Sequence, residues 1–178
     1  MTTVLTPVKD QGRCGSCYSF AAAALVEAMY AITHESLMLD LSEQQIIDCS
    51  RSYGNQGCSG GARDWALGYI RDKGVTTEDQ YPYQNQFNTG TFQCRLSTGQ
   101  YRVQNIIEQS NCEALRSAVR KGPVAVAVHA GKWQFYGNGL LGCRGYPLSP
   151  VIDHAVLLVG YTAEGNWIIK NSYGTTWG

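Results

Sequence analysis

The sequence predicts an α+β protein of two unlike lobes, and three observations carry that expectation. Breaker-poor and amphipathic segments fill the first half, apolar alternating runs fill the last third, and a stretch rich in Tyr, Gly and Pro separates them. Helices first and strands later place the seam near Asn105, with a helical lobe over 1–105 and a β-rich lobe over 106–178. Ligand sites favour such seams, so a cleft between the lobes is the first place to look for function.

Each element has its own reason. Tyr18 to Thr33 is Ala-rich with few breakers and follows directly on Gly15-Ser16-Cys17. Ser42 is placed to cap a helix running to about Asp48, with Gln45 three residues on to complete a capping box. Ala62 to Asp72 is amphipathic, with Trp65, Tyr69 and Ile70 as core contacts and Lys73-Gly74 as its stop. A loop-rich stretch runs through Tyr81-Pro82-Tyr83 to Gly99. Ser110-Asn111-Cys112-Glu113 reads as a second capping box, opening a short helix that Gly122-Pro123 ends. Val124 to His129 alternates as a strand does, Ala155 to Val159 is an apolar run, and Trp167-Ile168-Ile169 follows a turn at Glu164-Gly165-Asn166.

Composition narrows the function classes. The 178 residues carry 14 Lys and Arg against 14 Asp and Glu, so the net charge is zero. That excludes a broad basic face for nucleic acid and an acidic solvating tail. With 44% hydrophobic residues the chain can bury a core, and disorder is not expected. The longest apolar run, Phe20 to Val26, is too short to span a bilayer, and Met1-Thr2-Thr3 does not open a signal peptide. No membrane or nucleic-acid partner is expected. The seven cysteines (Cys14, Cys17, Cys49, Cys58, Cys94, Cys112, Cys143) are spread along the chain, as staples in an oxidising compartment would be. Their odd number leaves at least one thiol unpaired.

The informative segment is Gln11-Gly12-Arg13-Cys14-Gly15-Ser16-Cys17-Tyr18. A Cys-x-x-Cys pair has three readings: a redox dithiol, half a zinc site, or a catalytic thiol beside a disulfide. The redox reading expects a strand before the pair. The zinc reading expects a second close pair of Cys or His, whereas Cys49 and Cys58 stand well apart and His34, His129 and His154 are scattered. The third reading gains from the rest of the chain. Cys17 opens a helix, where free N–H groups and the positive dipole end favour a thiolate. Such a nucleophile needs a base, and the base needs an orienter. His154, at the edge of one strand, and Asn171, directly after the next, can supply imidazole and amide side by side. Taken singly, each of these residues is ordinarily explained by packing or a turn. Their joint order along the chain is what carries meaning.

With these residues in place the chain resembles the papain-like cysteine proteases, of the papain and cathepsin L type. The Cys-Gly-Ser-Cys-Tyr run around Cys17, with His and Asn far downstream, matches that family's signature. Further matches are Thr6-Pro7-Val8-Lys9, Leu41 to Gln45, Cys58-Ser59-Gly60-Gly61, Tyr81-Pro82-Tyr83, Gly122-Pro123-Val124 and Asn171 to Gly178. The resemblance implies the papain-like two-lobe fold with the active-site cleft between the lobes. It also implies a cysteine-type endopeptidase acting through a thiolate–imidazolium pair and an acyl-enzyme. Cys17 would be the nucleophile, His154 its proton partner, Asn171 the orienter of His154, and Gln11 a donor to the oxyanion beside the Cys17 N–H. Gly60 and Gly61 would pair with an extended substrate backbone, and Asp153 would have a modest effect. Ala62, Arg63, Ala127, Ile152 and Ala155 would line the pocket for the side chain two residues before the cut. That lining suggests Leu, Val or Phe. Arg63 departs from the pattern: it reads either as a solvent-facing charge paired with Asp64, or as a guanidinium at the pocket mouth that accepts acidic side chains.

The family pattern further implies disulfides Cys14–Cys58 and Cys49–Cys94, and Cys112–Cys143 would use every other cysteine. No metal or cofactor is implied. Expected partners are peptide or protein substrates and cystatin-like or pro-segment inhibitors, with a monomeric protein in a lysosome or vacuole, or secreted. Two residues depart in size. Tyr18 stands where Trp is common and brings a hydroxyl needing a partner, and Tyr173 stands where Trp usually covers the Asn–His bond, so thinner cover is expected. Family members continue with more β structure after Gly178, so a chain truncated at both ends with an incomplete second lobe is expected. The rival readings are a catalytically impaired relative that binds peptides in the same cleft, and a thiol–disulfide exchanger. Silica-templating relatives resemble this family with Ser in the nucleophile's place, and Cys17 speaks against them.

Overall fold

The computed structural model describes residues 4–35, 37–84, 92–109, 111–142 and 150–178. Helices α1 (Cys17–Thr33), α2 (Glu43–Cys49) and α3 (Arg63–Lys73) come first, then α4 (Cys112–Val119) and strands β1 (Val124–Val128), β2 (His154–Tyr161) and β3 (Trp167–Lys170). The strands form one antiparallel sheet in the order β1-β2-β3. No helix among the described residues is long and apolar enough to cross a membrane.

Helix α1 is the shared wall. One side packs Tyr18, Ala22, Ala23 and Val26 against Ile46 and Ile47 of α2 and Ala66, Leu67, Tyr69 and Ile70 of α3. Val103 and Ile106 also pack on this cluster. The opposite side of α1 meets the sheet through Ala21, which packs on Ala125 of β1 and Ala155 of β2. Small side chains let helix and sheet approach closely.

Local signals explain most boundaries. Ser42 Oγ accepts from the Gln45 N–H at 2.9 Å and caps α2. Gln45 does not reach back to complete the box: its side chain takes the Thr76 N–H and donates to Leu96 O. At α4 the cap is Asn111, whose Oδ1 accepts from the Ala114 N–H, one residue later than the expected Ser110. Ser110 itself lies outside the described residues. Trp65 was expected in the core but is 46% exposed; its ring covers the backbone of Gly54, where a Cβ would come within 2.9 Å. Disulfides Cys14–Cys58 and Cys49–Cys94 each close loops of similar length, worth about 4 kcal/mol apiece in the chain-entropy model. Cys112 is an exposed free thiol, and the pairing expected with Cys143 falls on a residue outside the described ones.

The N-terminal segment straps the two lobes together. Asp10 bridges Tyr173, the Gln11 N–H donates to Ser172 O, and the Gly174 N–H donates to Lys9 O. Thus residues placed by the sequence with the helical lobe pair with the far end of the β-rich one. Lys9 then anchors the strap in the interior. Its Nζ lies 2.9 Å from Glu27 of α1, 2.7 Å from Glu43 of α2 and 2.6 Å from Asp40. Glu27 is 1% and Glu43 2% exposed. Burial alone lowers the Lys9 ammonium, but Glu43 and Glu27 outweigh it and hold it above its ordinary range. Burial pushes the Glu43 carboxyl up while Lys9 pulls it back. Lys170 of β3 joins through Thr6, which donates on to Glu27.

Breaking a buried ion cluster from one side costs more than the cluster contributes, because charge is left without a partner. Lys9→Ala is therefore expected to lower the unfolding free energy by about 3–5 kcal/mol in urea denaturation. A loss under about 1 kcal/mol, the value of an exposed pair, would contradict this account of the strap.

Candidate active site

Cys17 is the first residue of α1 because the preceding turn is pinned. Gly15 N–H donates to Cys58 O, a Cβ on Gly15 would lie 2.6 Å from that oxygen, and Cys14 is bonded to Cys58. The Ser16 side chain does not cap the helix, and Ser19 and Phe20 donate to Ser16 O. Among the described residues, the N–H groups of Cys17 and Tyr18 at the positive end of α1 make no backbone hydrogen bond, and both lie against the Cys17 thiol. The Tyr18 hydroxyl finds its partner in Gly57 O at 2.9 Å.

Strand β2 brings the second group. His154 is its first residue, paired across the sheet with Val128, and the next residue, Ala155, packs against Cys17. The imidazole Nε2 donates to Asn171 Oδ1 at 2.7 Å with both side chains buried, which fixes the ring and leaves Nδ1 as its other nitrogen. Tyr173 stacks on the ring at 4.9 Å. Trp133, which the sequence reading did not single out, meets it edge-on at 5.7 Å. Trp177 packs on Trp133 and donates its indole N–H to Trp133 O. Cover around the histidine is thus shared among three aromatics, so the smaller Tyr173 does not act alone. Asn171 Nδ2 is buried with no acceptor among the described residues.

Burial pushes the Cys17 thiol up; the backbone at Ala155 and Tyr18 pulls it down, and the Asp153 carboxylate pushes it up again. Burial pushes the His154 imidazole down, opposed by Asn171 and Asp153. Each group alone resists charge.

Gln11 is buried beside them and held at every polar atom. Its Oε1 accepts from Ser172 Oγ at 2.7 Å, its Nε2 donates to Cys14 O at 2.9 Å, and its carbonyl accepts from Tyr83 OH. One amide proton is used by Cys14 O, and the amide carries a second. Ser172 is a positioning residue that the sequence reading missed; its place directly after Asn171 was the available signal.

The remaining expected positions fall around the same seam. Gly60 has φ +107° with open space around it, while a Cβ on Gly61 would lie 2.1 Å from Asn55 Oδ1, so Gly61 must be glycine. Asn55, also missed, accepts from the Ala62 N–H and donates to Ser50 Oγ, holding that turn. Ala127 lies opposite Ala155 in the sheet; Ala155 is buried, and Ala127 and Ile152 are exposed. Asp153 accepts from the Ala130 N–H at 2.7 Å and so ties the entrance of β2 to the end of β1. Arg63 does not face solvent as a plain helix charge. Its Nε donates across the seam to Ala125 O at 3.0 Å, with Asp64 Oδ1 at 3.6 Å.

A thiol at a helix start and a buried, amide-oriented imidazole, joined through Ala155, which follows the imidazole in the chain and belongs to the cluster that Cys17 packs on, define a cysteine-hydrolase type of site. The papain family cysteine protease model matches residues 1–178. The chain belongs to that family. It is 41% identical to a cathepsin L-like peptidase of Aedes aegypti and 40% to digestive cysteine proteinase 3 of Homarus americanus, with 98% of the chain aligned in each case. These alignments cover 53% and 56% of the relatives, so the chain spans about half their length. Digestive procathepsin L 3 of Tenebrio molitor superposes with a TM-score of 0.85 at 39% identity, covering 98% of this chain and 59% of that one. A cysteine protease of Carica candamarcensis in complex with E-64 gives 0.82 at 35%, covering 98% and 80%.

Ser172→Ala removes the only donor to Gln11 Oε1 among the described residues, leaving a buried acceptor unpaired. The expected result is a loss of about 1–3 kcal/mol in urea unfolding. An unchanged midpoint would show that Gln11 is not held as described.

Proposed function

We propose that the chain carries the peptide-bond-hydrolysing site of a cysteine endopeptidase. The observation that carries this reading is the buried His154–Asn171 hydrogen bond on the strand whose next residue packs against Cys17. Cys17 gives its proton to His154, and the thiolate attacks the substrate carbonyl carbon. The carbonyl π pair moves onto oxygen, facing the Cys17 N–H and the second Gln11 amide proton. When the pair returns, the C–N bond breaks and His154 hands its proton to the leaving amine, leaving a thioester on Cys17. Water, giving a proton to His154, attacks that thioester. The acid leaves, and the thiolate recovers the proton. Gly61, whose N–H and C=O make no hydrogen bond among the described residues, is available to pair with an extended substrate backbone.

Peptide or protein substrates, pro-segment or cystatin-like inhibitors, a monomeric state, and a lysosomal, vacuolar or secreted location accompany this proposal. The cathepsin L and digestive proteinase relatives support the location, and the procathepsin L relatives support a pro-segment partner.

The test is hydrolysis of a dipeptidyl amide together with peptidyl-epoxide labelling mapped by mass spectrometry. Label on Cys17 and turnover that vanishes in Cys17→Ala, with folding intact, are expected. Label on both Cys14 and Cys17, or turnover surviving in Cys17→Ala, contradicts the reading, and binding of peptides without turnover or label marks an impaired relative. Gln11→Ala is expected to lower kcat by about 10²–10³-fold. Asn171→Ala removes the partner that raises the His154 pKa, so the imidazolium is lost at lower pH. The alkaline limb of the rate profile is therefore expected to move to lower pH, and a limb that stays or rises contradicts that role.

A further inference from the structure

His129 directly follows β1 and Asp153 directly precedes β2, so the exit of one strand and the entrance of the next lie side by side. Three hydrogen bonds close them on each other. The Asp153 N–H donates to Val128 O at 3.1 Å, the Ala130 N–H donates to Asp153 Oδ1 at 2.7 Å, and His129 Nδ1 lies 2.6 Å from Val151 O. A carbonyl only accepts, so His129 Nδ1 carries a proton and Nε2 is the nitrogen that titrates. Nε2 lies over Gly131, where a Cβ would come within 3.1 Å of it. The ring is held the same way whether neutral or cationic, and titration changes its charge without moving it.

The carboxylate between this imidazole and the buried one is Asp153. Its Oδ2 lies 3.8 Å from His129 Nδ1, and His154 is the next residue in the chain. Asp153 pushes the Cys17 thiol up and helps to hold the His154 imidazolium. For a thiolate–imidazolium pair these two actions differ in value. A raised thiol narrows the working range from the acid side, and a supported imidazolium extends it on the alkaline side. Among the described residues, Lys132 is the other charged group on the segment of His129, and Cys17, His154 and Tyr173 share the field of Asp153. Burial pushes the Tyr173 hydroxyl up to about 12, so it stays neutral. Ammonium groups stay charged through the range in which imidazoles titrate, so the variable charge beside Asp153 is a histidine.

We infer that His129 is a positioning residue that tunes the site through Asp153. Charged on the acid side, it offsets the carboxylate that hinders the Cys17 thiolate; neutral on the alkaline side, it leaves that carboxylate to support the His154 imidazolium. The use in catalysis rests on the proposed hydrolase reading, whereas the linkage of charges does not. Histidine suits the task because its charge changes between about pH 5 and 8. A fixed cation would weaken the imidazolium, and a neutral side chain would leave the thiol opposed. Asp153 is 43% exposed, so water screens the pair, and a shift of about 0.2–0.5 pH unit is the scale to expect.

The test follows two readouts from acid to alkaline pH in the wild type, His129→Gln and His129→Lys. One is the rate of Cys17 alkylation by iodoacetamide, mapped by mass spectrometry; the other is kcat/KM for a dipeptidyl amide. Both substitutions keep a donor for Val151 O, and each is read by itself, so either decides if the other fails to fold. In His129→Gln the acid limb of both readouts is expected to rise by about 0.2–0.5 pH unit, with the alkaline limb of kcat/KM in place. In His129→Lys the acid limb is expected to stay and the alkaline limb to fall by a similar amount. In an Asp153→Asn background, His129→Gln is expected to move neither limb. An acid limb that stays in His129→Gln, an alkaline limb that stays in His129→Lys, or the same shifts with Asp153→Asn present overturns the inference. Shifted alkylation profiles without turnover in the wild type uphold the role of His129 and remove the hydrolase reading instead.

Discussion

The contact on which the rest depends is the one between three alanines. Ala21 of α1, Ala125 of β1 and Ala155 of β2 pack together at the seam, and Cys17 sits one turn before Ala21 on the same helix. Because Ala155 follows His154 directly, the approach that buries these methyl groups also brings the start of β2 up to the start of α1. A larger side chain at any of the three would have to push helix from strand, and interiors packed at crystal density do not absorb such a change locally. The geometry of the proposed site is therefore a consequence of packing before it is a matter of charge.

Polar groups hold that contact in register from both ends. On one side of the seam the N-terminal strap pairs with residues 172–174 and spends Lys9 on Glu27 and Glu43. On the other, Arg63 reaches from α3 to Ala125 O. Gln11 belongs to the strap and Asn171 and Ser172 to the segment it pairs with, so the groups of the proposed site are fixed by the same hydrogen bonds that join strap and sheet. This arrangement explains why buried charge is tolerated: Lys9 is surrounded by three carboxylates contributed by α1, α2 and the turn between them.

Much of this was legible in the sequence, and the reasons are local. Helices α1, α2 and α3 announce themselves by composition, a Ser42 cap and a Gly74 stop, and the β segments by alternation and apolar runs. The helix-start position of Cys17 and the strand-edge position of His154 follow from the same signals. What could not be read depends on contacts between segments far apart in the chain. Trp65 sits at a helix position that periodicity assigns to the core, yet its ring lies over Gly54. Asn111, one residue beyond the Ser110 that the sequence suggested, is the cap of α4. Ser172, Asn55 and Trp133 had no chemistry-bearing pattern of their own; their roles come from what they touch. Arg63 read either as a solvent-facing charge or as a guanidinium at a pocket mouth, and its bond to Ala125 O, across the seam, lay in neither reading.

The electrostatics bring the account to a single measurable point. Burial discourages charge on Cys17 and on His154 separately, so the proposed thiolate would need an imidazolium as its partner. The rate of Cys17 alkylation by iodoacetamide, followed from acid to alkaline pH in the wild type and in His154→Ala, measures that dependence directly. The account predicts that the wild-type thiol reacts well below the ordinary thiol range of about 8.5, and that His154→Ala reacts only above it. Identical profiles in the two proteins would contradict the claim that the packed seam joins Cys17 and His154 into one titrating pair.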